Sequence, residues 1–66
     1  MVNLREKRTA AGYSQQSLAD KVYVTRQQIS QIEIGKALPS VQTAKLIGQE
    51  LGFPWTEFYE DEKKII

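Results

Sequence analysis

Four side chains on one short stretch, Arg26, Gln27, Ser30 and Gln31 of RQQISQIE, carry the hydrogen-bonding chemistry by which a protein can read bases. Arg can bond bidentately to guanine and Gln to adenine in the major groove, which is wide enough to admit one helix. In an arbitrary chain such glutamines are most often a solvated helix face with good propensity. Gln28 lies one step around the helix and is expected to reach no further than the DNA backbone. Other chemistries lack parts. The chain has no Cys and no His, and its Ser residues have no base to activate them, so neither an enzyme nor a catalytic residue is expected. Glu60, Asp61 and Glu62 are adjacent in sequence and point in several directions, which does not make a preformed coordination sphere. No metal and no cofactor are expected.

A reading helix must be held by others, and the chain reads as all-α with five helices. The first is expected from about Val2 to Ala11, with Leu4 and Ala11 on one face, ending at Gly12. Ser14 can cap the second helix, Gln15 to Val22, whose Leu18, Ala19 and Val22 face inward. Thr25 is the cap for Arg26 to Ile34, with Ile29 and Ile32 as its buried pair and Gly35 as its stop. Pro39 and Ser40 mark a turn and a fresh start, because the residue before proline avoids helical geometry and Ser caps well. Val41, Ala44, Ile47 and Leu51 follow at helical spacing, Gly52 ends that helix, and Pro54 fits the first turn of a fifth.

The 66 residues make one small domain, 1–66, in which no repeat, linker or low-complexity stretch stands out. Its net charge of +1 hides an asymmetry. Residues 1–36 hold six basic and three acidic side chains, a net +3, whereas residues 37–66 hold three and five, a net −2. The first half is therefore the side expected to meet polyanions. Without Cys there is no disulfide framework, and no apolar run approaches the roughly 20 residues that cross a bilayer. A cytoplasmic protein with no membrane partner is expected. So short a chain has no room for a ligand pocket besides its core, so no small-molecule ligand is expected either.

The spaced set Leu4, Arg5, Arg8, Gly12, Ser14, Gln15, Leu18, Ala19, Thr25, Ile29, Ile32, Glu33, Gly35, Lys36, Pro39 and Ser40 resembles the Cro/cI-type, or lambda-repressor-like, helix-turn-helix family over nearly the whole chain. The resemblance implies a compact five-helix domain with the helix-turn-helix at about 15–34. It also implies double-stranded DNA as partner, with Arg26, Gln27, Ser30 and Gln31 facing base edges. By the same resemblance Ser14, Gln15, Thr25, Gln28 and Lys36 would face the DNA backbone, while Arg8 and Glu33 would form a structural ion pair. Ala19 falls where the two helices of the motif must approach closely, so a small side chain is a packing requirement.

One position departs from the family pattern. Tyr23 stands in the turn where relatives often have Gly, and a bulky residue at positive φ is strained. It is expected either to be tolerated there or to bond a phosphate through its phenol.

At this spacing Trp55, Phe58 and Tyr59 are more often core, and some must cover the face of the fourth helix. Yet three aromatics exceed what so small a core easily hides. Phe53, Trp55, Phe58 and Tyr59 are therefore expected at a twofold homodimer interface, within a dimerisation region at about 53–66 that also takes in Ile65 and Ile66. Aromatic enrichment without charge marks interface centres. Two reading helices about 34 Å apart would imply a palindromic operator. The function expected is a sequence-specific transcriptional regulator that represses by occluding a promoter. The other class considered is a protein-interaction module, such as an antitoxin or a transcription-bridging protein.

Overall fold

The computed structural model describes residues 2–59, and the expectations for Glu60, Asp61, Glu62, Ile65 and Ile66 lie outside them. Four α-helices follow one another, α1 Leu4–Ala10, α2 Gln15–Lys21, α3 Arg26–Glu33 and α4 Val41–Leu51, then a 3-10 segment Trp55–Tyr59. Each α-helix begins at a side-chain cap. Asn3 accepts from the Glu6 amide in α1, Ser14 from Ser17 in α2, Thr25 from Gln28 in α3 and Ser40 from Thr43 in α4. In α2 and α3 the bond is returned, because the Ser17 hydroxyl and the Gln28 carboxamide accept from the cap's own amide.

The fifth element differs from the expected helix. The five residues Trp55–Tyr59 wind as a tight 3-10 turn, with the Glu57 amide donating to the Pro54 carbonyl three residues back. Runs this short rarely sustain α-helix, and packing draws Phe58 inward. The aromatic reading needs the same correction. Phe53 and Phe58 are only 8% and 1% exposed, so neither is available as subunit surface. Their rings meet edge to face with centroids 5.5 Å apart, and they complete a core made by Leu4, Leu18, Ala19, Val22, Ile29, Ala44 and Ile47. Trp55 is half-buried against the core, whereas Tyr59 stays exposed and donates its hydroxyl to the Pro39 carbonyl at 2.7 Å.

Smaller differences have the same origin. Ala11 caps the end of α1 and is exposed instead of sharing the Leu4 face, and Ile32 is half-buried. Val41 occupies the first turn of α4, beyond the reach of the core, and is exposed. Gly48 in α4 lets the chain after the helix cross close by. A Cβ there would sit 2.6 Å from the Phe53 carbonyl oxygen, a backbone atom.

Candidate nucleic-acid interface

Helices α2 and α3 are joined by the four residues Val22, Tyr23, Val24 and the cap Thr25, and Ala19 is fully buried where they cross. Tyr23 takes φ +61, the left-handed conformation. Its side chain is 84% exposed and finds no hydrogen bond among the described residues to offset that conformation. The residues after it form α3, whose Ile29 is fully buried and anchors the helix.

The opposite side of α3 carries the expected base-facing set. Arg26 and Gln27 are exposed, and Ser30 and Gln31 are half-buried one turn further on. None of the four spends its side chain on a hydrogen bond within the described residues. Gln28 is different. Its carboxamide oxygen accepts from the Thr25 amide at 3.0 Å and from the Thr25 hydroxyl at 3.3 Å, so its first use is to cap the helix. Gln28 and Gln31 also line a groove of about 170 Å³ that runs from Val24 to Leu38, Pro39, Ser40 and Thr43.

Among the expected backbone-facing residues, Ser14, Thr25 and Lys36 are exposed, whereas Gln15 is half-buried. Gln15 is drawn in by Glu33, to which its carboxamide nitrogen donates at 3.0 Å. Glu33 also takes the Arg8 guanidinium, at 2.5 Å to Nε and 3.4 Å to the second nitrogen. The side chains of Arg8 and Glu33 are only 10% and 6% exposed, and Arg8 donates its remaining terminal nitrogen to the Tyr13 carbonyl at 2.8 Å. One carboxylate therefore ties α1 and the start of α2 to the end of α3. No local pattern signals the Gln15 bond, because its partners stand eighteen residues apart.

A second tie, also missed from sequence, joins the loop before α2 to α4. The Tyr13 hydroxyl donates to the Glu50 carboxylate. That bond raises the phenol above its ordinary value, and burial and the negative charge of Glu50 act in the same direction. Among the described residues no group of three or more acidic, His or Cys side chains is placed to hold a metal ion. Nor is any helix among them long and apolar enough to cross a membrane.

A family model described as helix-turn-helix matches residues 4–58. The chain is 40% identical over 58 residues to an uncharacterized HTH-type transcriptional regulator, YqaF, of Bacillus subtilis (strain 168), covering 88% of this chain and 76% of that one. It is 45% identical over 49 residues to the SPbeta prophage-derived uncharacterized HTH-type transcriptional regulator YonR of the same organism. That match covers 74% of this chain but less than half, 45%, of the relative. No solved structure matches the chain significantly. With residues 4–58 matched as a unit and a short turn joining two capped helices, the chain belongs to the Cro/cI-type helix-turn-helix family.

Proposed function

We propose that this protein is a sequence-specific, double-stranded-DNA-binding transcriptional regulator that acts as a repressor, as a homodimer on a palindromic operator. The observation that carries the reading is the face of α3. Arg26, Gln27, Ser30 and Gln31 are presented together with their hydrogen-bonding groups uncommitted, on a helix held rigidly by Ile29 and Ala19. In this mode α2 crosses the DNA backbone and the N-terminal part of α3 enters the major groove. Support also comes from the relatives, both named as HTH-type transcriptional regulators.

Roles then follow from position. Arg26 and Gln27, at the first turn of α3, read base edges, and Ser30 and Gln31 extend the contact by one turn. Ser14, Gln15, Tyr23, Thr25, Gln28 and Lys36 face phosphates. Arg8 and Glu33 set the angle of α3 against α1 and do not touch bases.

Selection of bound sites from random duplexes tests the reading. A twofold-symmetric consensus is expected, with affinity that falls steeply as salt rises because several phosphates are neutralised. Arg26→Ala and Gln27→Ala should each relax specificity at one base pair, costing about 1–3 kcal/mol there. A pool that stays random, or a binding constant indifferent to salt, would refute it.

A further inference from the structure

The groove shared by Gln28 and Gln31 is neutral, in a chain that is 26% charged. Val24, Ile32 and Leu38 give it an apolar wall. Most of its polar side chains are already engaged. The Ser40 hydroxyl is paired with Thr43, and the Gln28 carboxamide oxygen with the Thr25 amide and hydroxyl. Gln31 differs, because its side chain makes no hydrogen bond among the described residues. A free carboxamide thus stands beside an apolar hollow of about 170 Å³ on the flank of the reading helix.

We propose that this hollow seats the C5-methyl of a thymine whose partner adenine is read by Gln31. In the major groove an A·T pair presents the N7 acceptor and N6 donor of adenine, then the O4 acceptor and the methyl of thymine. The Gln31 carboxamide has donors and an acceptor and matches the adenine half. The methyl lies further along the same edge and needs an apolar surface, which Val24, Ile32 and Leu38 supply. Leu38 is 55% exposed and has area left to cover, so contact removes both groups from water. A G·C pair satisfies neither half, since guanine shows two acceptors there and cytosine an amino donor without a methyl. Having no charge, the wall offers nothing to phosphate. This inference rests on the proposed DNA reading and deepens it, naming the base pair at Gln31 and adding Val24, Ile32 and Leu38 as specificity-determining residues that form no hydrogen bond to a base.

Uracil is thymine without that methyl and with the same hydrogen-bonding edge, so exchanging the two probes the seat alone. Once selection from random duplexes has given the site, each thymine of one half-site is replaced in turn by uracil and the affinity measured. Wild type should lose about fourfold at one thymine, which is one buried methyl-sized group at ~0.8 kcal/mol. Gln31→Ala should relax the preference for A·T at that same pair. In Leu38→Ala the uracil penalty there should fall to about twofold or less, because part of the wall is gone. Leu38 is exposed, and a thermal melt should show the fold unchanged. Thymine and uracil are compared within each protein, so any effect of Leu38→Ala on assembly cancels. The inference is overturned if no thymine responds, if the responding one lies at a pair that Gln31→Ala leaves unchanged, or if the penalty is undiminished in Leu38→Ala. Each of those results leaves the DNA reading standing on its selected site. A pool that stays random removes the DNA reading and the methyl seat together.

Discussion

Replacing Glu33 by Ala should come close to unfolding this protein, and the reason lies in what the carboxylate leaves behind. Its side chain is 6% exposed and accepts from both Arg8 and Gln15. Removing it strands the Arg8 guanidinium, itself 10% exposed, with only the Tyr13 carbonyl as partner. Breaking a buried pair by removing one member costs about 3–5 kcal/mol, because an uncompensated charge stays inside. A 66-residue domain has about 3–10 kcal/mol of stability in all. The single change therefore removes about three-tenths of the total or more, and urea denaturation followed by circular dichroism reads it directly. Glu33→Gln should cost less, since an amide oxygen still accepts from Arg8. The double variant Arg8→Met, Glu33→Leu should be more stable than Glu33→Ala, because apolar replacement of a whole buried pair is often neutral or favourable. The reasoning is refuted if Glu33→Ala costs under about 1 kcal/mol, the range of exposed pairs, or if the double variant is the least stable of the set.

Tyr23→Gly should stabilise the fold by up to about 1.5 kcal/mol, since relief of a left-handed residue at roughly 1–2 kcal/mol outweighs the ~0.5–1 kcal/mol of added chain entropy. Unchanged affinity for the selected duplex in that variant would remove the phenol–phosphate contact. Gly48→Ala should lower the urea midpoint by an amount worth about 1–3 kcal/mol, as its Cβ meets the Phe53 carbonyl and the backbone must shift. An increase, as intrinsic helix propensity alone would give, would show that the chain after α4 yields freely. For Tyr13 the folded-state pKa lies above the ordinary phenol value of 10.0, so its contribution is fully present below that pH and is lost as pH rises through the folded value. Tyr13→Phe should flatten that alkaline fall in melting temperature, and an identical slope in both proteins would place the cause elsewhere.

How legible the protein was in its sequence depended on how far apart the cooperating residues lie. Ser14, Thr25 and Ser40 cap helices three residues ahead of the amides they satisfy, and Gly12, Gly35 and Gly52 take the positive φ at helix ends. Such effects act within one turn, so type and spacing alone announced α2, α3, α4 and the face of Arg26, Gln27, Ser30 and Gln31. The small Ala19 at the helix crossing was equally legible, because two helices so close admit little else. What tertiary structure decided was the destination of side chains whose chemistry allows two. Phe53 and Phe58 are apolar enough for a core or an interface, and only their packing with α4 and the rest of the core took them inside. Whether Trp55–Tyr59 wound as α-helix or 3-10 turned on that same demand for Phe58. Gln15 on Glu33, Tyr13 on Glu50 and the passage over Gly48 join residues brought near one another by the packing of the four helices, and no local pattern encodes such meetings.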